Sequence, residues 1–181
     1  DRGEVLALAG ITGELGNIAA GREPASDEEW VTVAGAVAAG VWKEQTSWPI
    51  SEQYDVRFGK SQHPREQRFG VRMDGQSMNR TIPSGADLEC LYVKFSPTPP
   101  KPGDLVIVER NAHDLVELTC KRLAMVGDNF ALLCESTEPE FQGEPVFVGK
   151  PDGDMVTDDE VRVVGIVLNA KLDLAPRDLS E

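Results

Sequence analysis

Read for alternation of apolar and polar positions, the chain changes character near residue 30. Beyond it, hydrophobic residues recur in short β-like runs rather than at helical spacing: residues 30–37, 69–73, 87–94, 104–110, 115–123, 129–135 and 161–172. In 87–94, Leu88, Cys90 and Tyr92 share one face, the period-2 signature of a strand. The proline-rich stretch Ser96-Pro97-Thr98-Pro99-Pro100-Lys101-Pro102 ends that run, because proline cannot donate to a ladder. Turns are expected at Pro102-Gly103-Asp104 and Gly127-Asp128-Asn129, where Gly, Asn and Asp tolerate positive φ. Short strands at a spacing of about 8–15 residues predict a mainly β domain with a compact, barrel-like sheet and short helical turns. No internal repeat is evident.

The first 29 residues read differently. Glycines are frequent, apolar positions are loosely spaced, and the segment ends in the polar run Arg22-Glu23-Pro24-Ala25-Ser26-Asp27-Glu28-Glu29. Helical turns fit around 4–9 and 14–19, but the glycines oppose a long helix. Residues 1–29 are therefore expected to be a linker or arm, and 30–181 one domain. Nothing in the arm resembles a helix-turn-helix, which needs two well-formed helices and a tight turn.

Composition narrows the classes. The chain of 181 residues suits one packed domain plus a tail. It has no apolar run of about 18 residues, hence no expected membrane helix. It also shows no basic-then-apolar leader, so a cytoplasmic location is expected. It begins at Asp1 rather than Met, as a fragment or processed form would. With 31 acidic against 18 basic residues and a net charge of −13, it lacks the cations that neutralise phosphates. DNA reading would fall to a preceding segment. Cys90, Cys120 and Cys134 are few and widely spaced, which suits buried reduced thiols better than a disulfide framework or zinc site. His63 and His113 are isolated. No metal or other cofactor is expected.

Two stretches carry candidate chemistry. The first is Met73-Asp74-Gly75-Gln76-Ser77-Met78, followed by Ile82-Pro83-Ser84-Gly85-Ala86-Asp87. Ser77 follows a strand and a glycine, at the start of what reads as one helical turn. That placement is expected to expose its hydroxyl at a strand end, with backbone N–H groups able to stabilise an oxyanion. Alone, the pattern is equally that of a turn with an N-cap serine.

The second is Leu118-Thr119-Cys120-Lys121-Arg122-Leu123, in which two adjacent cations interrupt an apolar strand. Alternation sends Lys121 and Arg122 to opposite faces. A lysine turned inward loses solvation in its charged form and becomes a better base. The need is large, since at the ordinary lysine value only about 1 in 2,500 is neutral at pH 7. A serine–lysine mechanism requires that neutral amine. An edge strand guarded by solvated cations fits the spacing as well.

Taken together, Gly75-Gln76-Ser77-Met78, Ile82-Pro83-Ser84-Gly85, Pro102-Gly103-Asp104-Leu105-Val106 and Cys120-Lys121-Arg122-Leu123 resemble, in order and spacing, the S24 peptidase family of LexA, phage CI-type repressors and UmuD. The resemblance covers residues 30 to 172. The separation of 44 residues, from Ser77 to Lys121, looks most like the phage-repressor branch. Gln76 departs from the Asp that many members carry.

The resemblance implies a Ser–Lys autoprotease with Ser77 as nucleophile and Lys121 as general base. The amides of Gln76 and Ser77 would form the oxyanion hole. It also implies an Ala–Gly scissile bond upstream. Ala39-Gly40, 38 residues before Ser77, is preferred to Ala34-Gly35, which lies inside an expected strand. Small residues let the backbone enter a tight site, and Gly eases the bend. As partners it implies a homodimer, with 161–172 either the dimerisation strand or a core strand. It further implies a RecA filament as trigger, in an SOS-type DNA-damage response, and a preceding helix-turn-helix for DNA.

Weaker signals remain. The proline-rich stretch fits a stiff loop better than a polyproline ligand. Trp42 and Trp48 fit core or dimer contacts, or anchors for the cleavage segment. His113-Asp114 falls in a predicted turn, a poor place for a triad's base and orienter. Two other functional readings stay open: a UmuD-like polymerase accessory, and a dimerisation module whose dyad is idle.

Overall fold

The computed structural model describes residues 28–44, 46–149 and 161–174. Most of the expected arm, and both of its helical turns, lie outside those residues. Among the described residues nine strands form one sheet: β1 (Glu28–Val37), β2 (Tyr54–Gly59), β3 (Arg68–Met73), β4 (Asp87–Tyr92), β5 (Leu105–Ala112), β6 (Leu115–Val126), β7 (Asn129–Leu133), β8 (Val146–Gly149) and β9 (Val161–Lys171). Their order is β2-β1-β3-β4-β9-β5-β6-β7-β8. The β1–β3 pair is parallel and the others antiparallel.

The sheet curls back on itself. Just after β1, the Ala38 N–H donates to the Leu118 carbonyl at 2.9 Å, and Lys43 and Val116 exchange backbone hydrogen bonds at 3.0 and 2.8 Å. The segment following β1 thus lies along the first half of β6 and closes the run β1-β3-β4-β9-β5-β6. The expected mainly β, barrel-like arrangement is what the chain adopts.

Alternation explains where the core sits. Ile107, Leu118 and Cys120 join Phe69, Val71, Met73, Leu88 and Cys90 on one face. Val106, Val108 and Leu123 turn to the other face and meet Phe130, Leu132 and Val148. Because β5 is covered on both faces, its Leu105–Val108 portion reads as a continuous apolar run. Arg68 and Glu89, both fully buried, pair at 2.5 Å; Arg68 also reaches Glu29, and Asn169 donates to Glu89 at 2.6 Å. This network ties β1, β3, β4 and β9 together.

Some expectations shift. β2 and β8 fall outside the runs named above, and β4 stops at Tyr92, after which Val93–Phe95 forms a 3-10 turn. β7 ends at Leu133, so Cys134 is past the strand and half-exposed rather than buried like Cys90 and Cys120. β9 has both edges paired, by β4 and β5. Any dimer contact it made would have to use a face, not an edge.

Candidate active site

Ser77 sits on the turn that follows β3. The Asp74 N–H donates to the Val37 carbonyl at 2.9 Å, docking this turn against the end of β1. Gly75 has φ +111, a value that favours glycine. Its N–H donates to the Ser84 hydroxyl at 3.2 Å, while Gly85 and Met73 are joined through a 2.7 Å backbone bond, so the Ile82–Gly85 motif folds back onto the serine turn. Met78 and Ile82 are buried in the core, and the Ile82 N–H closes one helical turn on the Met78 carbonyl at 2.7 Å. With both flanking anchors buried, Ser77 is carried inward. It is 1% exposed, and its hydroxyl meets no hydrogen-bond partner. The expected exposed hydroxyl is therefore a correction: the turn is tethered to the sheet on both sides.

Backbone orientation is set by the residues after β7. The Gln76 carbonyl accepts from the Ser136 hydroxyl at 2.7 Å, and the Ser77 carbonyl accepts from the Glu135 N–H at 3.1 Å. In a planar trans peptide the N–H points opposite the carbonyl, so the Ser77 N–H is directed away from Ser136. Gln76 itself is exposed.

Lys121 lies on β6 opposite Val106, and Arg122 opposite Leu105, so the two cations occupy opposite faces. Arg122 binds Glu135 through two contacts, at 2.9 and 3.0 Å, and donates to the Gly103 carbonyl at 2.6 Å. The Arg122 guanidinium holds the Glu135 carboxyl below the usual carboxylate range. The β6–β7 ladder stops at Arg122↔Leu133, and Lys121 is the next residue out. Its ammonium donates to the Cys134 sulfur at 2.8 Å. Lys121 is half-buried. Adjacent residues thus hold the two candidate groups: Cys134 takes the Lys121 amine, and Glu135 takes the Ser77 carbonyl. The Ser77 hydroxyl and Lys121 amine are not hydrogen-bonded to each other.

Ala39-Gly40 forms the centre of a turn, with the Val41 N–H donating to the Ala38 carbonyl at 3.4 Å. Gly40 has φ +78 at the third position, which a type II turn requires. Ala39 is half-buried and Gly40 exposed. The Gly40 N–H donates to the Glu117 carboxylate, whose other oxygen takes Arg110 at 2.9 Å. The Arg110 guanidinium lies 5.3 Å from the centre of the Trp42 ring. Trp42, Arg110 and Glu117 therefore clasp the turn onto β6. Glu117 precedes Lys121 by four residues, about 13 Å along a strand.

Ala34-Gly35, the other Ala–Gly pair, is inside β1. The Ala34 carbonyl accepts from Trp48 at 2.7 Å, and a Cβ on Gly35 would lie 2.6 Å from the Thr46 carbonyl oxygen. Close packing accounts for that glycine. Trp48 stacks on Tyr54 at 6.1 Å, beside the Val31, Val33, Val56 and Phe58 cluster. His113 and Asp114 form the exposed β5–β6 turn, both at positive φ as a type I′ hairpin requires. Among the described residues no group of three or more His, Cys, Asp or Glu could hold a metal.

Three side chains join the site that motif reading did not single out: Glu117, Thr119 and Cys134. Glu117 and Thr119 share Lys121's face by period 2, a signal present in the sequence. The Thr119 hydroxyl is buried without a partner. Nothing in the sequence marks Cys134, whose placement depends on where the β7 ladder ends.

The nine-stranded domain thus holds a buried serine turn and a strand-borne lysine on adjacent residues, with the Ala–Gly turn fastened to the lysine's strand. The Peptidase S24-like family model matches residues 32–168, and the chain belongs to that family. At the level of the family, this is a serine peptidase of the self-cleaving LexA and UmuD type. No curated protein matches the chain. Among the described residues no helix is long and apolar enough to cross a membrane.

Proposed function

We propose that this domain hydrolyses its own Ala39–Gly40 peptide bond with Ser77 as nucleophile and Lys121 as general base. The observation that carries the reading is the convergence at Cys134 and Glu135, which hold the Lys121 amine and the Ser77 backbone one residue apart. The serine hydroxyl beside them is buried and unpartnered. In the reaction the Ser77 oxygen attacks the Ala39 carbonyl carbon while neutral Lys121 takes the hydroxyl proton. The Ser77 amide, with that of Gln76, stabilises the oxyanion. The C–N bond then breaks, Lys121 returns its proton to the Gly40 nitrogen, and an ester remains on Ser77. Water, deprotonated by Lys121, hydrolyses the ester.

The turn held on Glu117 is the undocked substrate, so cleavage requires a shift of population toward a docked form. A partner such as a RecA filament would act by binding that form better; this part of the reading rests on family resemblance, as do the homodimer, a cytoplasmic repressor role and an SOS setting. A helix-turn-helix upstream of Asp1 would favour a repressor, and its absence a UmuD-like accessory.

Alkaline incubation tests the chemistry, because it deprotonates lysine. The expected products are two fragments, the second beginning at Gly40, with none from Ser77→Ala or Lys121→Ala chains that remain folded by circular dichroism. An intact wild-type band, or cutting that survives Ser77→Ala, overturns the proposal and leaves the idle dimerisation module.

A further inference from the structure

The Lys121 amine is engaged by sulfur, not by the hydroxyl it would serve. Its contact with Cys134 is 2.8 Å, whereas the Ser77 hydroxyl has no partner. We propose that Cys134 is a positioning residue that parks Lys121 away from Ser77, so that self-cleavage begins with Lys121 exchanging the Cys134 sulfur for the Ser77 oxygen. The inference rests on the Ser–Lys reading above.

Three features make the sulfur a defined anchor rather than a chance neighbour. Cys134 is the first residue past the β7 ladder, directly opposite the first β6 residue outside it. The next residue, Glu135, is locked by Arg122 through its side chain and by Ser77 and Arg80 through its backbone, so Cys134 cannot drift. No carboxylate competes. Across from Lys121 on β5 stands Val106; Glu117, on the same face, is committed to Gly40 and Arg110; Glu135 belongs to Arg122. Among the described residues Lys121 forms no ion pair.

The consequence is kinetic. A Lys121 amine turned to the Cys134 sulfur is in the wrong place to take the Ser77 proton. Removing the acceptor destabilises the parked arrangement and leaves the transition state untouched, which speeds the reaction.

The experiment compares full-length wild type, Cys134→Ala and Cys134→Ser, following fragment appearance in alkaline buffer. Cys134→Ala should cleave about 2- to 12-fold faster, the effect of losing the one hydrogen bond that holds the amine. Cys134→Ser, which keeps an acceptor at the same place, should stay near wild type. If Cys134→Ala is no faster while folding with unchanged Tm, and Ser77→Ala is inert, the parking role is wrong and the protease reading stands.

A second measurement is independent of cleavage. In the Ser77→Ala background, Tm is measured for Cys134→Ala, Lys121→Ala and the double variant. Because the two side chains touch, the double variant should lose less than the sum of the single losses. Additive losses overturn the contact even if wild type never cuts, and that last result would separately sink the protease reading.

Discussion

Glu117 offers the sharpest test of how the cleavage segment is restrained. Its carboxylate, 3% exposed, accepts from the Gly40 N–H with one oxygen and from Arg110 with the other. The proposed scissile bond is held at Glu117, four residues of β6 or about 13 Å from Lys121, so on the proposed mechanism the Gly40–Glu117 bond has to break fully before Ser77 can reach Ala39. A hydrogen bond to a charged group contributes about 1.5–3 kcal/mol net. If that stabilises only the undocked state, Glu117→Ala should raise the first-order self-cleavage rate by about 10- to 150-fold. Glu117→Gln keeps an acceptor for Gly40 but loses the charge, and should fall between the two. The assay is fragment appearance on denaturing gels in alkaline buffer, with Ser77→Ala in each background as the zero. Ala38 and Lys43 keep their backbone bonds to β6, so the variant should fold, and circular dichroism checks it. A folded Glu117→Ala chain that cuts no faster than wild type would refute the idea that this carboxylate restrains the turn.

Other outcomes follow from the same structure. Burial pushes the Cys120 thiol up to about 12 and raises Cys90 as well, so alkylation of native protein near neutral pH should mark Cys134 alone, with the other two reacting only after unfolding; mass spectrometry reads the difference. Glu135 is held below the usual carboxylate range by Arg122, so its contribution is present above the unfolded value and lost as pH falls through the folded one. Wild type should therefore lose Tm more steeply than Glu135→Gln on the acid side, below about pH 4. Glu89→Gln leaves buried Arg68 without its full countercharge and should destabilise the fold by about 3–5 kcal/mol in urea titration. Gly35→Ala should lower Tm, because its Cβ meets the Thr46 carbonyl at 2.6 Å.

The segments that were legible in advance are those where period 2 is unambiguous. β4 and β5 were readable because Leu88, Cys90 and Tyr92, or Val106 and Val108, cannot be placed otherwise. β2 carries a clean alternation of Tyr54, Val56 and Phe58 with Asp55 and Arg57, so it too could have been found. β8 could not, since four residues between a proline-flanked loop and the next segment give too little pattern. The candidates Ser77, Lys121 and Ala39-Gly40 were nameable from the joint order and spacing of several motifs, since each pattern alone fits a plain turn or an edge strand. What holds them was not. The Lys121–Cys134 contact depends on the ladder ending at Leu133, and the burial of Ser77 depends on Asp74 reaching Val37 and Glu135 reaching the Ser77 carbonyl. Those are register effects between segments far apart in the chain, invisible to local pattern.

Thr119 brings the restraint and the chemistry into one balance. It stands on β6 between Glu117 and Lys121, on their face, with its hydroxyl buried and unpartnered like that of Ser77. An unsatisfied buried hydroxyl costs about 1–3 kcal/mol. Docking of the Ala39–Gly40 turn would draw backbone carbonyls and amides across this strip, and Lys121 with them, giving both hydroxyls partners that the undocked state denies them. Two such gains, about 2–6 kcal/mol, oppose the loss of the Glu117 bond at about 1.5–3 kcal/mol. A switch whose two states differ by a few kcal/mol is one that a partner can tip. Thr119→Val removes the hydroxyl at nearly constant shape, so the undocked state should gain stability and the docked one lose a contact. Tm should rise by about 2–4 °C for each kcal/mol relieved, and self-cleavage should slow. A Thr119→Val chain with a lower Tm would mean that the hydroxyl already has a partner at rest, and the balance argued here would fail.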